Sequence, residues 1–155
     1  MTARPYAQKR FQAVSLPQPL ASLAARGAAP EIPSPEPIEP GAMVALHAAN
    51  RFEPDIAADR RTEAERRLGQ AWQDNVPLNA VVGIGRVVSC AERHPSSPNA
   101  RGQDPAAPRT SWLLRLADVA PMTDSVPVAG NERAVWMWRP GRGQKARNGG
   151  QIDLL

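Results

Sequence analysis

The stretch Val-Ser-Leu-Pro-Gln-Pro-Leu-Ala-Ser-Leu-Ala-Ala-Arg-Gly, residues 14–27, decides how the rest of the chain is read. Phe11, Ala13, Val14 and Leu16 form a short apolar run that suits a strand, and Pro17 and Pro19 stop it. Proline is tolerated in a first helical turn, where its missing N–H would be unpaired anyway, so a helix can start at this corner with Ser15 capping the turn. Leu20, Leu23 and Ala24 then share one helical face by their three- and four-residue spacing. Gly27 can take the left-handed conformation that ends the helix. The expected order is strand, tight corner, short helix, glycine stop.

On the N-terminal side, residues 1–10 are polar and basic (Arg4, Lys9, Arg10), have no apolar core like that of a signal peptide, and read as a flexible leader. On the other side lies Pro-Glu-Ile-Pro-Ser-Pro-Glu-Pro-Ile-Glu-Pro, residues 30–40. Five of its eleven residues are proline, so it cannot donate a full strand ladder and is expected as an extended, polyproline-like rim or loop. Glu31, Glu36 and Glu39 make it acidic.

Gly41 opens a second apolar strand over residues 42–47. Residues 53–72 read as the clearest helix, with Glu53 and Asp55 near its N-terminus and Ala57, Ala64, Leu68, Ala71 and Trp72 on one face. Glu63 can pair with Arg67 one turn on. Arg60, Arg61, Arg66 and Arg67 are either an RNA-facing ridge or a solvated face with interspersed acids. Residues 79–90 form the strongest strand, in which Gly83 and Gly85 imply a bend or a close backbone approach. A long loop with four prolines (91–110), a strand (111–120), a turn-rich return (121–130) and a last strand (134–138) follow. From Arg139 the chain is a basic arm with four glycines.

The length of 155 residues suits one domain with a moderate core. With 17 Pro and 11 Gly among 42% hydrophobic residues, a compact unit with Pro/Gly-rich connections accounts for the composition. A net charge of +4 makes an anionic partner, nucleic acid first, or a merely basic protein the two readings of the charge. A single cysteine, Cys90, excludes an intrachain disulfide and any cysteine-based zinc site. No run reaches the roughly 18 apolar residues of a membrane span, and a cytoplasmic protein is expected. There is no Ser/His/Asp set, Walker-type loop or dinucleotide fingerprint, and no cofactor is expected.

Four pieces in order resemble the ASCH domain, a member of the PUA-like β-barrel superfamily. Residues 15–23 are similar to the family's S-x-x-Q-P-W-A-x-L opening, with Leu20 in place of the tryptophan. Val-Ala-Leu-His-Ala at 44–48 resembles its strand ending in I-H-A. Residues 80–90 resemble its A-x-x-G-x-x-x-x-x-D-C strand, with Ser89 replacing the acid. Val-Pro-Val-Ala-Gly at 126–130 followed by Trp136 resembles its closing P-V-x-G-x-x-G-x-W element. The resemblance spans roughly residues 11–138 and implies a mainly β, α+β fold: a small, mostly antiparallel barrel of five or six strands with two or three helices.

The resemblance also implies a departure. After the first helix the family carries G-x-K-x-x-E-x-R, or G-x-K-x-x-T in members resembling bacterial acetylcytidine amidohydrolases. Counting from Gly27, Ala29 replaces the lysine and Ile32 the glutamate or threonine, and Arg86 stands where those hydrolases carry a carboxylate. An amide hydrolysis of that kind needs a lysine and a carboxylate together, so the inherited chemistry is expected to be lost.

What remains is a nucleic-acid-binding domain, RNA ahead of DNA, without catalysis of its own. Gln18 is implied to read a base edge at a cleft mouth, or else bonds local backbone. Arg26 and Arg86 would attract phosphate, with Arg86 either lining that cleft or pairing an acid such as Glu31. Trp138 offers a partly exposed stacking surface beside a core-packed Trp136, and Trp112 another. Arg142 and Lys145 of the arm add sequence-independent affinity. The rivals are an enzyme, either an amidohydrolase on a modified nucleoside or a ribonuclease, in which Glu31, His47 and Arg86 improvise a site, and a protein-interaction module that presents residues 30–40 to a partner groove. His47 is either a general acid or base or a buried histidine held by backbone.

Overall fold

The chain is described by a computed structural model at residues 11–93, 111–130 and 135–140. The leader, the loop residues 94–110, and Arg142 and Lys145 of the arm lie outside the described residues. Strand β1 (Phe11–Gln18) leads into helix α1 (Leu20–Ala25), followed by β2 (Glu31–Ser34), β3 (Met43–Phe52), α2 (Ala58–Leu68), α3 (Trp72–Asn75), β4 (Ala80–Arg93), β5 (Ser111–Pro127) and β6 (Trp136–Trp138). The six strands form one sheet in the order β2-β5-β4-β3-β1-β6. Only β1–β3 is parallel; the other four pairings are antiparallel. The fold is mainly β with accessory helices, as the sequence led one to expect.

The corner that organised the sequence reading organises the structure. Gln18 precedes a cis peptide bond to Pro19, and Gly27 adopts φ +81° just beyond α1. All six residues of α1 are buried, so a helix too short to persist alone is held by packing. Leu20 and Leu23, enclosed at 5% and 1% exposure, each contribute roughly 1.5–3 kcal/mol of apolar burial. α1 seats on β4 where Gly83 leaves room: a Cβ there would lie 2.7 Å from that of Ala25. Register shifts flank Gly83 and Gly85, so both glycines mark the bend and close approach expected of them. The larger core joins α1 to Val14, Leu16, Val44, Leu46, Ile32 and Leu114. A second cluster, with Phe11, Ala13, Ala45, Ile84, Met122 and Trp138, draws on strands alone. Burying that face without a covering helix requires the sheet to curl over itself.

Several elements differ from the sequence reading, each for a local reason. The helix expected over 53–72 begins at Ala58, because Pro54 and a left-handed Asp55 (φ 47°) keep the chain non-helical before it, and ends at Gly69 (φ 101°). Trp72 is buried by the separate α3 instead, while Ala57 and Ala71 stay exposed. The proline-rich rim contributes a four-residue strand, β2, at the sheet edge, where Pro33 is tolerated. Its Ile32 and the later Ile38 are core residues. Strand β5 is one 17-residue strand rather than a strand and a turn-rich return, and β4 runs on to Arg93 where a loop was expected.

Candidate functional site

Gln18 is fully buried and its amide is occupied. Its Nε2 donates to Ser22 Oγ (3.0 Å) and to the Pro77 carbonyl (2.8 Å), and its Oε1 accepts from the Ser22 N–H (3.0 Å). The cause is the corner itself. The residue preceding α1 is Pro19, which has no side-chain acceptor, so other groups must satisfy the helix's first N–H groups. Gln18 takes that of Ser22, and the Glu53 carboxylate takes that of Leu20. The glutamine therefore reads its own backbone, not a base edge. Glu53 also faces Arg60 (3.3 Å), yet its Oε2 is buried without a hydrogen-bond partner, and burial pushes its carboxyl above the ordinary value.

Arg86 pairs with an acid, Asp118 rather than Glu31. Its guanidinium is held by Asp118, Nε donating to Oδ2 at 2.9 Å and Nη2 to the same oxygen, because a left-handed Asp118 (φ 53°) lies across the β4–β5 ladder. Arg86 pairs with Met43 and Gln18 with Phe52, which places them at opposite ends of β3, roughly 30 Å apart along the strand. Glu31 faces Arg115 at 3.7 Å on the far edge of the sheet. Two intervening strands separate it from His47, about 14 Å across the sheet. The set Glu31, His47 and Arg86 is not assembled. Ala29 and Ile32, which stand where the resemblance places a lysine and its partner, are enclosed at 7% and 0% exposure.

His47 belongs to a buried polar cluster. Its Nε2 lies 2.7 Å from the Val128 carbonyl, which can only accept, so Nε2 carries the proton. In the neutral ring Nδ1 then accepts from the Ser15 hydroxyl at 2.9 Å. Trp136 Nε1 donates to the same hydroxyl at 3.3 Å and its ring meets the imidazole edge-on at 5.2 Å. Gly130 completes the contact: a Cβ there would lie 2.7 Å from both His47 Cε1 and Trp136 Cζ2. Ser15 is thus not a helix cap, because its hydroxyl is engaged on the sheet. Trp136 and Trp138 exchange the roles expected of them. Trp138 is buried at 6% exposure against Phe11 (ring centroids 5.9 Å apart), and Trp136 is the half-buried one.

Arg26 is the sequence-predicted residue that the fold places at an open site. It follows α1 directly, is exposed, and lines a cleft of about 330 Å³ between α1, the Asn75–Pro77 turn, β4 and the second half of β5. Val82 and Met122 form its apolar wall, and Asn75, Asp124 and Ser125 its polar one. The Arg26 side chain makes no hydrogen bond or ion pair among the described residues. By contrast, the exposed Arg66 and Arg67 grip Glu63 at 3.0 and 2.6 Å. Those hydrogen bonds, Arg67's first, hold the Glu63 carboxyl below its ordinary value. That resolves most of the expected ridge on α2 into a solvated face. Asn75 and Asp124 were missed because the cleft is made by tertiary approach; a turn-rich reading of 121–130 hid that Asp124 sits on a strand. Among the described residues no group of three or more His, Cys, Asp or Glu side chains is placed to hold a metal ion.

No family model and no curated protein matches the chain. Among solved structures it is similar to ASCH from Zymomonas mobilis, with 11% identity and a TM-score of 0.45, covering 76% of this chain and 73% of that one. Structures of two mutant proteins of the same Zymomonas ASCH match at 11% identity with TM-scores of 0.44 and 0.45; they cover 79% and 77% of this chain and 76% of each of theirs. No helix among the described residues is long and apolar enough to cross a membrane.

Proposed function

We propose that this domain binds single-stranded nucleic acid, RNA ahead of DNA, at the α1–β5 cleft, and carries out no chemistry of its own. The observation that carries this reading is Arg26, an exposed guanidinium without a partner among the described residues, at the mouth of a cleft with an apolar wall. Such a cation attracts phosphate, and an apolar wall accepts the face of an unstacked base. The chain's net charge of +4 supports an anionic ligand, and Arg142 and Lys145, outside the described residues, would add sequence-independent affinity. The motif resemblance favours RNA, and a cytoplasmic setting accords with it. The separation of Glu31, His47 and Arg86 speaks against the improvised enzyme. The burial of Ile32 and Ile38 in the core speaks against residues 30–40 as a free ligand for a partner groove.

The test is a salt series of binding to a fluorescent 12-nucleotide single-stranded RNA, with parent and Arg26→Ala proteins. Binding by the parent that weakens with salt, with a slope smaller by about one in the variant, is expected. No binding, or equal salt slopes, overturns the reading.

A further inference from the structure

The cleft carries a negative wall as well as a positive mouth. Asp124 lines it together with Arg26, and the two are not paired. Asp124 makes no hydrogen bond or ion pair among the described residues. Glu31, Glu53, Glu63 and Asp118 are each held by an arginine, whereas Asp124, like the exposed Glu65 and Asp74, has no such partner among the described residues; what sets it apart is that it lines the cleft. A carboxylate left open inside an anion-binding cleft repels phosphate, so on purely electrostatic grounds it is out of place. It fits a ligand that brings an anionic end to Arg26 and a face of hydrogen-bond donors to Asp124.

Resting on the nucleic-acid reading above, we propose that the cleft selects guanine. An ionised carboxylate is acceptor-only, with two oxygens able to take parallel donors. Guanine is the base whose Watson–Crick edge presents two adjacent donors, N1–H and the N2 amine. Adenine and cytosine each offer one amine flanked by an acceptor, and uracil one N–H between two carbonyls. Asn75 spends an Nδ2 hydrogen on the Ala71 carbonyl (3.0 Å), which leaves its side-chain amide a second donor for guanine O6. Val82 and Met122 give the base a surface to lie against. The volume of about 330 Å³ is within the range of small-ligand sites.

The experiment compares binding of octauridylate with the same strand carrying one central guanosine, inosine or 1-methylguanosine. The guanosine strand should bind about tenfold more tightly than octauridylate, the size of one good bidentate base contact. Inosine lacks the N2 amine and 1-methylguanosine the N1–H, so both should fall back toward the octauridylate level. Asp124→Asn should abolish the guanosine advantage, while octauridylate affinity stays the same or rises, because the substitution removes a negative charge from the cleft. Equal binding of all four strands by the parent, or an undiminished guanosine advantage in Asp124→Asn, overturns the inference and leaves nucleic-acid binding standing. Failure of every strand to bind overturns both.

Discussion

The Ser15–His47 cluster and the Arg26–Asp124 cleft are built on neighbouring elements, yet their polar groups are treated in opposite ways. In the first, the imidazole, hydroxyl, indole N–H and the Val128 carbonyl satisfy one another inside the protein. In the second, a guanidinium and a carboxylate share a cleft with neither paired. Buried polar groups must be satisfied or the fold loses stability, so the cluster is architecture. Exposed charges carry no such demand, so the cleft residues are available to a ligand. A histidine hydrogen-bonded to a serine is therefore not by itself a site, and a lone arginine after a short helix can be one.

The sharpest way to break this contrast is His47→Ala. It leaves Ser15, Trp136 and the Val128 carbonyl short of partners and opens a cavity, with an expected loss of about 3 kcal/mol in urea unfolding. A stability unchanged by that substitution would place His47 in function rather than in the frame. Gln18→Leu comes next, because it strips the Ser22 N–H and the Pro77 carbonyl of their partner; about 2 kcal/mol should be lost. RNA affinity measured on the protein that remains folded should stay within about twofold if Gln18 reads no base.

These two residues also show what the sequence made legible. The serine and histidine of the recognised motif pieces, and the glycine and tryptophan of the last one, meet in a single cluster although Ser15 and Trp136 lie 121 residues apart. Motifs of that kind mark architecture, which is why the strand–corner–helix reading and the mainly β fold could be anticipated. Gln18, which the resemblance implies reads a base edge, and Trp138, expected at the rim, are both buried. Whether a polar residue points into a cleft or caps its own helix depends on Pro77, 59 residues away, and no local pattern reports it. Asp124 had no signature at all; its meaning arises from Arg26 facing the same space.

A smaller effect sharpens the boundary between the two regions. Glu53 is a half-buried carboxylate tied to the α1 corner, and its raised pKa means that the folded state holds its proton more tightly than the unfolded chain does. Its contribution to stability therefore falls as pH rises from the ordinary value of 4.5 through the raised one. Glu53→Gln keeps an acceptor for the Leu20 N–H without the charge. It is expected to be more stable than the parent at pH 7, with the margin vanishing near pH 4, in parallel urea titrations. The smallest stability effect belongs to the cleft: Arg26→Ala should shift unfolding by less than about 0.5 kcal/mol while lowering RNA affinity. A large loss of stability there would mean that the cleft is part of the frame after all.

Strand β1 touches the chain at widely separated points. It is flanked by β3 on one side and by the three residues of β6 on the other, with Phe11 opposite Trp138. During synthesis β1 therefore waits for the last of the described strands. Until Trp136 emerges, β1 is an open edge, and Ser15 lacks the indole that completes its hydrogen bonding. A nascent chain halted at residue 130 has four of the five described strand pairings within reach, but β1 keeps its free edge until the three residues of β6 pair with it.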